Sequence, residues 1–129
     1  MEHTIEYAED GTLCVVRVVG EHRRPKDSSA LRKIAFETFL QKDIRRFLFD
    51  LRDAHVVGGV ADTFEAGTEP LMEGLQTVYF KVALVYAEPG VEERFLETVM
   101  VNRGYRIRIF SDEDKALAWL KENIGEFAE

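Results

Sequence analysis

The sequence predicts a single α/β domain: one five-stranded, mixed, mostly parallel sheet carrying about four helices. Three observations predict it. Apolar runs with strand character at 13–19, 46–51 and 82–86 alternate with segments of helical periodicity. Those three runs are apolar on both faces, whereas 4–7 and 106–110 alternate. That is the pattern of covered central strands and half-covered edges. The chain has 129 residues, enough for one domain and few for two, so residues 1–129 are read as one unit.

Each element follows in order. Thr4 to Tyr7 alternates like a half-buried strand, Glu9-Asp10-Gly11 makes a turn, and Leu13 to Val19 completes a hairpin, so the first strand is antiparallel. Pro25, with Asp27 or Ser28 as cap, opens a helix whose apolar face is Leu31, Ile34, Ala35 and Phe39. The third strand is 46–51. Val60, Phe64, Leu71, Met72 and Leu75 have helical spacing, but Gly67, Pro70 and Gly74 interrupt it. Proline removes a backbone donor and clashes with the preceding turn, so residues 59–76 are expected as two short pieces or a kinked helix able to lift as a lid. After the fourth strand, Pro89-Gly90 opens a helix that ends at Asn102-Arg103-Gly104. Ser111 with three following acids starts the last helix, with Ala116, Leu117, Leu120 and Ile124 inward.

Composition narrows the function classes. Hydrophobic residues are 46% and charged residues 32%, as in soluble globular proteins. The net charge of −7 argues against general nucleic-acid binding. The charge is uneven: residues 17–52 hold ten Lys/Arg against five Asp/Glu, and residues 53–129 hold seven against fifteen. Cys14 is the only cysteine, so no internal disulfide forms and a reducing cytoplasm is the expected home. No apolar run approaches the roughly 20 residues of a membrane span, and the acidic N-terminus is not a signal peptide.

The chemistry-bearing stretch is "FDLRDAHVVGGVAD". Asp50, Arg52, Asp53 and His55 are placed just past the carboxyl end of a central strand, where open α/β sheets bind ligands. They are read either as the polar rim of such a crevice or as carboxylates bonding local backbone amides, with Arg52 neutralising them. Gly58-Gly59 either lets backbone approach a phosphate or makes a plain tight turn; no GxGxxG or Walker pattern is present. Arg23, Arg24 and Lys26 form a basic cluster that either grips an anionic surface or is ordinary solvated charge. Lys42, Arg45, Arg46, Lys81, Arg103 and Arg106 gather at the strand starts and carry the same two readings. The three histidines are too scattered for a metal motif, Cys14 reads as core, and Trp119 as the anchor of the last helix.

"VALV", a helix ending "NRGY", and "RIFSDEDKALAWL", with "FLFDLRD" at the third strand, resemble the SpoIIAA-like (STAS) bacterial proteins over about the whole chain. The resemblance implies their sheet and a distant fold relation to the lipid-binding SEC14 (CRAL-TRIO) domains. It also implies a domain that binds partner proteins, or in some cases nucleotides or lipids, rather than an enzyme. In the anti-sigma antagonists of that group a phosphorylated serine follows the third strand. Here Gly58-Gly59 fall at or beside that position and Thr63 is the first hydroxyl after Asp50, so the phospho-switch is not expected.

The expectation is therefore a non-enzymatic cytoplasmic module, without cofactor, that binds a protein partner or a small apolar, lipid-like ligand. The candidate crevice is Asp50, Arg52, Asp53, His55, Gly58, Gly59, Phe64 and Met72. Two alternatives stay open: a small hydrolase-like enzyme using Asp50, Asp53 and His55, and a peripheral membrane-surface protein using the basic clusters. The sequence leaves a homodimer open.

Overall fold

The computed structural model describes residues 1–68 and 80–122. Strands β1 (Glu2–Ala8), β2 (Leu13–Arg23), β3 (Arg46–Val57), β4 (Lys81–Val85) and β5 (Arg106–Phe110) form one sheet in that order. Helices α1 (Lys26–Lys42), α2 (Val60–Thr68), α3 (Val91–Asn102) and α4 (Glu113–Lys121) fill the connections and the end. β1 pairs antiparallel with β2, and every later pair is parallel. The mixed, mostly parallel sheet expected from the sequence is the one observed.

Because β2 to β5 step across the sheet in one direction, right-handed crossovers put α1, α2 and α3 on the same face. That face buries Val16, Val18, Phe47, Phe49, Leu84 and Leu96. α4 follows the last strand and folds onto the other face, over Leu13, Val15, Leu48, Ala83 and Val85. Trp119 anchors α4 as expected, its ring 5.7 Å from that of Phe110. Lys81 was expected among the exposed charges at the strand starts. It is buried instead, under the Trp119 ring, donating to the carbonyls of Trp119 and Glu122. A cation at a helix C-terminus satisfies carbonyls that have no partner within the helix.

Several local expectations shift. β1 is exposed along both faces, including Ile5 and Tyr7, rather than half-buried. α4 is capped by Asp112, whose carboxylate accepts from the amides of Asp114 and Lys115, not by Ser111. α1 starts after Pro25. The Asp27 carboxylate accepts from the amide of Arg23, and Ser28 lies against His22.

The largest difference is strand length. β2 and β3 run beyond the predicted 13–19 and 46–51 as a two-stranded parallel ribbon, past the last β4 partner of β3. Arg17 pairs with Asp50 but Val19 pairs with Asp53, so β3 carries an extra residue. This bulge lets Phe49 and Leu51 before it, and Ala54 and Val56 after it, all pack on the helix-covered core. In the 59–76 segment α2 is described over Val60–Thr68; Leu71, Met72 and Leu75, and with them the kinked-helix and lid expectation, lie outside the described residues.

Candidate functional site

On the helix-covered face the sheet and helices leave a cavity of about 90 Å³. Leu31 and Ala35 of α1, Phe49 and Leu51 of β3, Leu84 of β4 and Leu96 of α3 contribute to its wall. The strand residues share a face because alternate β positions point the same way, and the α1 pair sits one helical turn apart. The polar members at the carboxyl end of the strands are His22, Ser28 and Tyr86.

His22 heads the basic stretch His22-Arg23-Arg24-Pro25-Lys26, which was expected at the surface as an anion-gripping cluster or as solvated charge. It is 2% exposed: beyond the inward Val16 and Val18 the strand passes through exposed Val19, Gly20 and Glu21 and turns His22 back inside. Its Nε2 lies 3.3 Å from Ser28 Oγ. Nδ1 is buried with no hydrogen-bond partner among the described residues. Burial pulls its pKa down to about 4, so the ring is neutral at pH 7.

Two residues further on, the same alternation draws Arg24 inside. The sequence placed Arg24 in a basic surface cluster with Arg23 and Lys26; at 2% exposure it is not on the surface. Its guanidinium donates to Thr63 Oγ1 at 3.1 Å, Tyr86 Oη at 3.2 Å and Glu93 Oε2 at 3.0 Å. Burial pulls the Arg24 pKa down, but Tyr86 and Glu93 outweigh it and raise it above the ordinary value. Arg23 and Lys26 stay exposed, and Arg23 pairs with Glu21. One buried guanidinium thus joins the end of β2 to α2, β4 and α3. Glu93 also caps α3, accepting from the amide of Gly90 at 2.7 Å.

Gly58 belongs to this junction. Its φ is +137°, and an added Cβ would lie 3.2 Å from the Cβ atoms of both Arg24 and Asp62. Glycine is required there by the close approach of β2 to α2. The Asp62 carboxylate already accepts from the Gly59 amide, so the acceptor at the start of α2 comes from the chain itself. Thr63 is fully buried, donating to the Gly59 carbonyl while accepting from Arg24.

The "DLRDAH" residues do not converge on one crevice, and they lie within β3 rather than past its end. Asp50 and Arg52 belong to an ion cluster on the α4 side. Asp50 accepts from Arg17 Nη1 at 2.8 Å, Arg52 Nε at 2.8 Å and Nη2 at 3.0 Å, and the Arg52 amide at 3.1 Å. Glu113 in the first turn of α4 accepts from both arginines. Burial pushes Asp50 up, yet the hydrogen bonds from Arg52 and Arg17 more than offset this and hold its pKa below the usual carboxylate value. Asp53 and His55 are exposed on the projecting ribbon. Phe64 packs 6.2 Å from Phe95, with its side chain partly exposed. Met72 lies outside the described residues. No group of three or more metal-ligating side chains occurs among the described residues, and no helix among them is long and apolar enough to cross a membrane.

Among the described residues, the order of elements, the antiparallel β1 edge and the division of helices, three on one face and one on the other, can be compared directly with solved folds. An anti-sigma factor antagonist from Mycobacterium paratuberculosis superposes with a TM-score of 0.58 at 18% identity, covering 94% of each chain. The unphosphorylated anti-sigma factor antagonist SpoIIAA gives 0.56 at 15% identity, over 94% of this chain and 99% of that one. The chain has the SpoIIAA-like fold. An uncharacterised DUF3478-family protein of SpoIIAA-like fold from Shewanella loihica PV-4 matches at 0.55 and 18% identity, covering 92% of each chain. No protein-family model matches the sequence, and no curated protein matches it. At these identities the SpoIIAA-like likeness concerns architecture.

Proposed function

We propose that this chain is a non-catalytic binding module that takes a small apolar, lipid-like compound into the cavity between α1, α3 and the sheet. The cavity itself carries the reading. Filling an apolar space of about 90 Å³ is worth about 2 kcal/mol at roughly 24 cal/mol per Å³. For a compound that fits it, that is a factor of about 30 in affinity. The space is smaller than the apolar cavities of about 150 Å³ that admit benzene, so it suits a short alkyl body or the end of a longer one.

Two further observations support a binding role over a catalytic one. Asp50, the acid of the hydrolase-like alternative, is held between two arginines, and Asp53 and His55 stand exposed and apart from it. A nucleophile or general base needs its partner within hydrogen-bond reach. We also propose that the phospho-switch is absent, since Gly58 and Gly59 carry no hydroxyl and Thr63 is buried beneath Arg24.

Binding of a protein partner is the second reading, favoured by the likeness to two anti-sigma factor antagonists. Native mass spectrometry of the freshly purified chain separates the two. The cavity reading expects a small adduct that organic extraction removes. An adduct-free chain that takes up nothing from an apolar extract contradicts it, and a co-purifying protein in its place supports the second reading.

A further inference from the structure

The two edges of the sheet differ in how they are closed. At β5 the Phe110 carbonyl accepts from the Tyr86 amide, so the backbone of Ile109, one residue earlier, faces away from β4. Its amide donates to Glu97 Oε2 of α3 at 2.6 Å. This five-residue strand also carries Arg106 and Arg108 on its exposed side. Short length, cationic side chains and a covered amide all hinder pairing with another chain. β1 is longer, seven residues in unbroken register with β2 from Glu2 to Ala8. It contains no proline, glycine, lysine or bulge, and among the described residues no side chain caps its backbone. Ile5 and Tyr7 are 40% and 48% exposed. An edge of this kind is a template for one more strand.

The sequence of β1 favours a second copy of itself as that strand. His3, Ile5 and Tyr7 stand on the helix-covered side, since their partners Val18, Val16 and Cys14 belong to that core. Glu2, Thr4, Glu6 and Ala8 stand on the other side. Two copies paired antiparallel about a two-fold axis normal to the sheet keep like faces together, so odd positions oppose odd and even oppose even. Centring the pair on Ile5 sets Ile5 against Ile5, His3 against Tyr7, Thr4 against Glu6 and Glu2 against Ala8. One face then has an apolar centre flanked by aromatic pairs, and on the other each Glu6 meets a hydroxyl. Centring on Thr4 sets Glu2 against Glu6, and centring on Glu6 sets that carboxylate against its own copy. Like charges directly opposite destabilise a strand pair. Centres further out leave much of the strand unpaired.

We propose that β1 is a self-pairing edge, through which two copies of this chain join antiparallel along Glu2–Ala8, with Ile5 at the two-fold axis, into one continuous sheet. This interface is independent of what the cavity holds. Lys42 of α1 lies over the Tyr7 ring at 4.8 Å, so the aromatic at each end of the seam is already seated by its own chain. A seven-residue strand pair is a small contact beside the roughly 1,200–2,000 Å² of standard interfaces, so the dimer is reversible and grows with concentration.

The test is sedimentation equilibrium of the full chain over micromolar to millimolar concentrations, together with single cysteines introduced at three neighbouring positions. The native Cys14 is buried, so oxidation reports on the introduced thiol. The mean mass should rise from one chain to two and stop there. Ile5→Lys sets two ammonium groups against each other at the centre and should weaken association about tenfold. Ile5→Cys should cross-link to its own copy, because directly opposed Cα atoms about 4.5–5.5 Å apart lie within disulfide range. Thr4→Cys and Glu6→Cys should cross-link slowly, since in this register their copies sit diagonally, about 7–8 Å apart. A chain that stays monomeric at the highest concentration overturns the proposal, as does a dimer that Ile5→Lys leaves intact. Mass that grows beyond two chains overturns the two-fold arrangement in favour of head-to-tail pairing. Fastest cross-linking at position 4 or 6 overturns the register. The mass of the unmodified chain and the three cysteine variants decide the point even if Ile5→Lys fails to fold.

Discussion

Replacing Asp50 with alanine should remove the centre of the ion cluster beneath the start of α4. The carboxylate is 5% exposed and accepts three guanidinium bonds and one backbone amide bond. Breaking a fully buried ion pair costs about 3–5 kcal/mol. Here Arg17 and Arg52 have side chains 35% and 36% exposed, so water and Glu113 take over part of their bonding. The expected loss is therefore nearer the roughly 1.5–3 kcal/mol of hydrogen bonds to a charged group. With an m-value of about 2 kcal/mol per molar urea, the unfolding midpoint should drop by about 1 M. The pH dependence has a definite sign. The folded-state pKa of Asp50 is depressed, so its contribution is complete above the unfolded value near 4 and is lost as pH falls through the folded value. The gap between wild type and Asp50→Ala should stay constant from neutral pH down to about 4 and close below it. A gap under about 0.5 kcal/mol at neutral pH, or one that widens on acidification, would refute the reasoning.

Three other perturbations have equally definite expectations. An alanine Cβ at Gly67 would lie 2.9 Å from Val99 Cγ1, so Gly67→Ala should lower stability by about 1–3 kcal/mol in urea melts despite its better helix propensity; a more stable variant would show that α2 and α3 pack loosely. Cys14 is fully buried and burial raises its pKa to about 11, so thiol reagents should label it only after unfolding; rapid native labelling would contradict this. Lys81→Met removes the donor to the carbonyls of Trp119 and Glu122 and should loosen α4, read as a red shift of Trp119 fluorescence; unchanged emission would mean that apolar packing alone seats the helix.

Much of the architecture was legible because core burial writes directly into sequence. Strands covered on both faces need apolar side chains on both, as at 13–19 and 46–51, and the glycine ending α3 stood out as well. The ends of β2 and β3 were not legible by the same rule. "EHR" and "RDAH" look like loop, yet both are ribbon. A two-stranded ribbon beyond the sheet edge has one solvated face and so carries charge at alternate positions. The inward positions Val16, Val18, His22 and Arg24 keep one parity, but exposed Gly20 between them and the polar residues at the end masked it. The partner that makes Arg24 tolerable in the interior, Glu93, is 69 positions away and reads locally as a helix cap, which it also is. Pairing across that distance is set by the topology, and nothing local in the sequence announces it. The bulge after Asp50 was hidden for a similar reason, since its signature is a register against β2 rather than a residue type.

The account stands most directly on whether the cavity admits an apolar guest. Methyl NMR of the full chain titrated with n-hexane measures this. The account predicts saturable shifts confined to Leu31, Leu51, Leu84, Leu96, Met100 and Ile107, all of which line the space, and their disappearance in Ala35→Leu, which fills it. Shifts absent from these methyls, or confined to exposed residues such as Leu40, Val60 and Val91, would contradict it.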